Sequence, residues 1–105
     1  MKQNEVIKNI TDLGKRILPQ GSSLWLYGSR ARGDARPGSD YDLLILLNKE
    51  RISSSDYDNY VYPLTVLGDT VGEEINTHLY SVMDWKRWWL SPFYENVESD
   101  KQVLI

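Results

Sequence analysis

The chain contains no cysteine, so neither disulfides nor thiolate metal sites contribute to what it does. Histidine occurs once, at His78, without ligand-spaced companions, and a solitary histidine reads first as a hydrogen-bonded structural residue. No apolar run is long enough to span a bilayer, and the opening MKQNEVIKNI lacks an apolar core and a cleavage-site pattern. A cytoplasmic protein with no membrane partner is therefore expected. Excess positive charge is missing too: 12 Lys and Arg stand against 15 Asp and Glu, for a net charge of −3. That balance argues against a general nucleic-acid binder, leaving nucleic acid a place only as an acceptor. With 105 residues, and without repeats, linkers or low-complexity stretches, the reading is one domain over residues 1–105 with one modest core.

What the chain does have is concentrated in the run YGSRARGDARPGSDYDLLI. Tyr27 ends an apolar stretch of Leu24, Trp25 and Leu26, so Gly28-Ser29 falls where a strand turns. A glycine there lets backbone approach a phosphate closely. Arg30, Ala31 and Arg32 can open a short helix whose first N–H groups face an anion, and Pro37-Gly38 supplies a tight turn. Asp40 and Asp42 then lie two apart in an extended run, so both carboxylates leave one face of a strand. Two such groups roughly 7 Å apart repel unless a cation or a proton relieves them. Mg²⁺ (or Mn²⁺) is the expected relief, because it combines one or two carboxylates with water and substrate phosphates.

The rest of the chain reads as alternating elements. Residues 4–18 form an amphipathic helix through Val6, Ile10, Leu13 and Ile17, with Asn4 as its cap and Pro19-Gln20-Gly21 as its stop. Strands are expected over 23–27, about 40–47 and about 74–81, the second apolar on both faces as in a central strand. Ser53, Ser54 and Ser55 offer caps for a helix to about residue 71, which Pro63 must kink or delay. Asp84 is read as the cap of a short helix carrying Trp85, Trp88 and Trp89, and Ser91-Pro92 as the start of another. Pattern alone supports a compact α/β or α+β domain.

Tyr27, Gly28, Ser29, the spacer, then Asp40, Tyr41, Asp42 and Leu43 resemble the signature of the minimal nucleotidyltransferases (MNT domains) of the DNA polymerase beta-like superfamily. The resemblance implies an α+β fold, a small mixed β-sheet flanked by helices. It implies transfer of a nucleoside monophosphate, AMP in the first instance, from a Mg-bound nucleoside triphosphate, ATP being expected, to a hydroxyl acceptor. Larger relatives append a substrate-binding domain, so the acceptor here is expected on another macromolecule, and a HEPN-domain partner in a toxin–antitoxin pair is the implied kind. Carried onto this sequence, Asp40 and Asp42 are the metal ligands and catalytic carboxylates, while Gly28, Ser29, Arg30, Arg32 and Ser39 bind the nucleotide. Arg36, farther along the loop, reads as solvated.

The family usually carries a third carboxylate on the next strand, and this chain departs from that pattern. Alignment by the strand's exit at Tyr80-Ser81 places Asn76 there. Alternation puts Glu74, Asn76 and His78 on one face, so Glu74 is the candidate for the missing catalytic carboxylate, against a bland reading of Glu73 and Glu74 as solvated charges. An Asn carbonyl can ligate a cation but cannot accept a proton. The alternative is therefore a non-catalytic nucleotide-binding or antitoxin module that sequesters a HEPN-type partner. Trp85, Trp88 and Trp89 cannot all face one core, so at least one is expected to be exposed or at an interface. Asp56-Tyr57-Asp58 repeats the Asp-x-Asp letters but reads as helix capping.

Overall fold

The computed structural model describes residues 1–105. Helix α1 (Gln3–Ile17) leads into β1 (Ser23–Tyr27), the one-turn helix α2 (Ser29–Arg32) and β2 (Tyr41–Leu47). A helical stretch follows as α3 (Ser54–Asp56), a π-turn at Tyr57–Val61 and α4 (Tyr62–Val71). Strand β3 (Ile75–Ser81), helices α5 (Val82–Arg87) and α6 (Pro92–Asp100), and the short strand β4 (Gln102–Val103) complete the chain. The sheet order is β3-β2-β1-β4, with β2 and β3 parallel and the other two pairs antiparallel. This is an α+β fold with a mixed sheet flanked by helices, and no helix is long and apolar enough to cross a membrane.

Period-2 alternation assigns each strand residue to one of two layers. Leu24, Leu26, Tyr41, Leu43, Ile45, Leu47, Ile75 and Leu79 face α1 and α4, where they meet Val6, Ile10 and Leu64. On the other side Trp25, Leu44 and Leu46 pack against Trp85 of α5 and Val97 of α6. Covered on both sides, β2 is almost uniformly apolar after Asp42, as a central strand must be.

Several boundaries differ from those expected. Helix α1 begins at Gln3 and Asn4 does not cap it. Instead the Gln3 amide donates to the Arg30 carbonyl at 3.0 Å and its oxygen accepts from Arg30 Nη1 at 3.2 Å, which extends the helix toward α2. Ser53 does head the next helix, in a reciprocal capping box with Asp56. The Asp56 carboxylate also accepts from Lys49 at 2.8 Å, so Asp56-Tyr57-Asp58 begins a helix as expected. Pro63, which has no N–H to donate, is accommodated by the wider π-turn before it and sits in the first turn of α4. Asp84 is not a cap either. Ser81 is, its hydroxyl accepting from the Asp84 N–H at 3.0 Å. Helix α5 then ends before Trp88, leaving Trp88, Trp89 and Leu90 exposed while Trp85 is buried. Strand β4 has no counterpart in the sequence reading: two residues carry no readable period, and they pair only because the chain end returns to Leu24.

Candidate active site

β1 delivers the site's first component where it ends. Gly28 has φ +74 and ψ −159, a conformation that favours glycine, and it heads α2, with the Ala31 and Arg32 N–H groups donating to its carbonyl at 3.0 Å. Its neighbour across the antiparallel pair is Asp42, aligned with Tyr27. A Cβ at position 28 would lie 2.5 Å from Asp42 Oδ2, so the carboxylate occupies the space that the missing side chain leaves.

Asp42 lies on the β2 face shared with Leu44 and Leu46, at the end that α5 and α6 leave uncovered. Burial raises its pKa above the usual carboxylate value, and the Asp40 charge adds to the rise, whereas the Asn76 amide, His78 and Arg32 oppose it. Asp40 precedes the strand. Its Oδ2 accepts from Asn76 Nδ2 at 2.8 Å, and Asn76 is aligned with Asp42 across the parallel β2–β3 pair. The register thus gathers Asp40, Asp42 and Asn76 into one group. A third carboxylate at position 76 would set a further negative charge within hydrogen-bond distance of Asp40; the amide supplies a donor instead.

An open cleft of about 840 Å³ reaches this group along β3. Glu74, exposed just before the strand, lines the cleft together with Asp42, Asn76 and His78, and its carbonyl accepts from the Tyr41 N–H at 2.9 Å. His78 is exposed, 5.3 Å ring to ring from Phe93 and 6.3 Å from Tyr27. Burial, then the charge of Asp42, raises the Tyr27 phenol well above its ordinary pKa, so the hydroxyl beside Asp42 stays protonated. Phe93 was not among the sequence-derived candidates, because only the return of α6 over the sheet brings it to Tyr27 and His78.

The arginines separate. Arg30, its side chain 11% exposed, donates from Nε and Nη2 to the Ser39 carbonyl and lies 4.5 Å over the Tyr41 ring. Tyr41 belongs to the opposite layer from Asp42, so the structure does not bring the Arg30 guanidinium to the carboxylate pair; it fastens the 33–39 loop to α1. The Ser39 hydroxyl is engaged as well, accepting from the Arg36 N–H at 2.9 Å in the Pro37-Gly38 turn. Arg32 remains about half exposed, paired with Asp100 at 2.7 Å and Asp34 at 3.2 Å.

No group of three or more Asp, Glu, His or Cys side chains converges to enclose a metal ion. Two carboxylates with an adjacent amide fit Mg²⁺ or Mn²⁺ nonetheless, since such ions complete an octahedral shell with water and phosphate oxygens. Zinc, which favours three or four nitrogen and sulfur ligands, does not fit.

The family profile described as nucleotidyltransferase domain matches residues 6–103. No curated protein sequence matches the chain. Among solved structures, the chain resembles one from a toxin–antitoxin with AMP-PNP, at TM-score 0.62 and 18% identity, covering 100% of this chain and 73% of the other. A second similarity is to a complex of tri-AMPylated Shewanella oneidensis HEPN toxin with MNT antitoxin, at TM-score 0.61 and 15% identity over 99% and 72%. A third is to a mutant of the toxin–antitoxin MntA-HpeT, at TM-score 0.61 and 16% identity over 100% and 73%.

Proposed function

The chain belongs to the nucleotidyltransferase domain family, and from that premise we propose that it binds ATP with Mg²⁺ or Mn²⁺ and transfers AMP to a hydroxyl group of a HEPN-type protein partner, releasing pyrophosphate. The observation that carries this reading is the seat of the Asp42 carboxylate against the bare Cα of Gly28, which joins the phosphate-approach turn to the carboxylate pair. Similarity to toxin–antitoxin structures, one with AMP-PNP and one with an AMPylated HEPN toxin, supports the nucleotide and the partner class.

Asp40 and Asp42 would hold the cation, which when bound would screen the triphosphate charge and polarise the phosphorus under attack. The chain's own residues do the positioning. Gly28 leaves room for backbone to approach the phosphates, and Ser29, first in α2, offers its N–H and hydroxyl to them. Arg32 would neutralise phosphate charge by leaving Asp34, an exposed and exchangeable partner, while Asp100 is the more buried of its two partners. Arg30 acts indirectly by holding the loop that ends in Ser39 and Asp40. The acceptor hydroxyl must lose a proton, which the Asn76 amide cannot take. Glu74, lining the same cleft, is the carboxylate left for that role.

A second reading follows from one observation. The amide of Asn76 donates to Asp40 where the family usually has an acid, which favours a module that binds nucleotide and sequesters its partner without transfer. Calorimetry of ATP with and without Mg²⁺, followed by incubation with labelled ATP and the HEPN-type partner, separates the two. Transfer predicts Mg-dependent heat and label on the partner; heat without label supports the module; no heat sinks both. Asn76→Asp sharpens the result. It is expected to weaken the metal-free fold by charge repulsion with Asp40 while increasing Mg²⁺ affinity and the rate of labelling.

A further inference from the structure

Three aromatic rings stand beside the carboxylate pair, and neither metal nor phosphate chemistry accounts for them. Tyr27, the last residue of β1, and His78, on the edge strand β3, share the sheet face of Asp42. Their backbones lie two strands apart, roughly 10 Å across the sheet, yet their rings approach to 6.3 Å. Both side chains therefore lean inward over β2. Phe93 comes down on them from α6, where the Ser91 hydroxyl caps the helix by accepting from the Tyr94 N–H at 3.1 Å and Pro92 sets the first turn. Its ring is 5.7 Å from Tyr27 and 5.3 Å from His78, with Trp85 at 5.8 Å and Tyr80 at 6.4 Å behind it.

The resulting wall is braced at its back and open at its front. Tyr27 and Phe93 are partly buried, whereas His78 is exposed and lines the same cleft as Asp42 and Asn76. A side chain that only sealed Leu44 and Trp85 would be apolar and covered.

Strand register decides what the open front can meet. Asp42 is aligned with Tyr27, so Gly28 and Ser29 lie beyond it past the end of β1, while His78 is aligned with Leu44, on the other side of Asp42 along the strands. A nucleotide whose phosphates run from Asp42 toward Gly28-Ser29 therefore turns its nucleoside end along the sheet face, against these rings. The wall contains no Lys, Arg, Asp or Glu, so neither a phosphate nor a cationic side chain finds a partner in it. A flat, uncharged aromatic ring does.

We propose that His78 and Phe93, braced by Tyr27, form the platform on which the nucleobase of the bound nucleotide stacks. The platform rests on the nucleotide-binding reading and adds the residues that hold the base.

The test compares Mg-ATP with Mg-tripolyphosphate, which keeps the phosphates and lacks the nucleoside, by calorimetry and by NMR of the full chain. Because His78 is the only histidine, its ring protons give one assignable pair of signals. Mg-ATP should move them upfield through the ring current of the base, and Mg-tripolyphosphate should leave them in place. His78→Ala, at an exposed position, should weaken Mg-ATP binding about tenfold with Mg-tripolyphosphate affinity unchanged, and His78→Phe should restore the loss. Phe93→Leu, which keeps the position apolar, should weaken Mg-ATP about threefold, again sparing Mg-tripolyphosphate. Ring signals displaced equally by both ligands, an unchanged Mg-ATP affinity in His78→Ala, equal loss of both ligands, or no recovery in His78→Phe would each overturn the platform, while Mg-dependent ATP heat in the parent keeps the nucleotide reading standing. No Mg-dependent ATP heat in the parent sinks both.

Discussion

The two layers of the sheet are built from the same alternating strands and behave differently. Toward α1 and α4, eight strand side chains and three helical ones form a continuous core, with Arg30 and Tyr41 closing its end. Toward α5 and α6 the cover is shorter, aromatic and clipped by polar contacts: Trp85 donates to Glu98 at 3.0 Å and Lys101 lies 3.9 Å over Trp25. Burial works to raise the Glu98 pKa, yet its bonds with Lys101 and Trp85 hold it below the ordinary value. This second layer stops short of Asp42 and Asn76, and His78 stays exposed at its margin beside Phe93, so all three remain reachable. One layer supplies stability, and the incompleteness of the other leaves polar groups where a ligand can reach them.

Breaking the sealed layer should cost stability most. Leu43→Ala removes a fully buried side chain beneath the site and is expected to destabilise by about 3 kcal/mol, read as a lower urea midpoint at unchanged slope. The surviving folded fraction should still bind Mg-ATP. Gly28→Ala acts where the layers meet. A Cβ forced into a left-handed conformation and against Asp42 should cost about 2 kcal/mol and also abolish the Mg-dependent heat; a variant that bound normally would refute the Gly28 cradle.

Asp56→Ala loosens the connection between β2 and α4 and should cost about 1 kcal/mol at neutral pH. Hydrogen bonds from Lys49 and Ser53 depress the Asp56 pKa. Its contribution is therefore present above the unfolded value near 3.8 and disappears as pH falls through the lower folded value, so acid denaturation should erase the difference between variant and parent. Smallest is Asp42→Asn, with the opposite sign. Burial raises the folded pKa of Asp42, so its charged form is a cost at pH 7, relieved as pH falls through the folded value toward 3.8. The metal-free variant should be the more stable one at pH 7, by a margin that narrows in acid, yet show no Mg-dependent ATP heat. A destabilised variant with normal heat would count against the proposed metal site.

Much of this arrangement is legible in local pattern. The apolar run after Asp42 marks a central strand, the Ser-Pro and triple-Ser stretches mark helix starts, and Asn76 falls beside the carboxylate pair as alternation requires. Arg30 is the instructive departure. Proximity in sequence to Gly28-Ser29 suggested a phosphate contact, but one turn of helix rotates its side chain to the opposite layer, and rotation about a helix axis is invisible in a motif. Trp88 and Trp89 show the same limit, since α5 ends sooner than their spacing implied.

By itself the sequence determined the positions of glycine, serine and paired aspartates, because turn chemistry and strand alternation act over a few residues. It also determined that position 76 bears an amide. Which groups meet was decided by the tertiary structure. Strand register sets Asn76 against Asp40 and Asp42 against Gly28, and packing against α1 draws Arg30 away from the pair. Those contacts join residues up to 36 positions apart, where no local preference reaches and only the pairing of whole strands can choose.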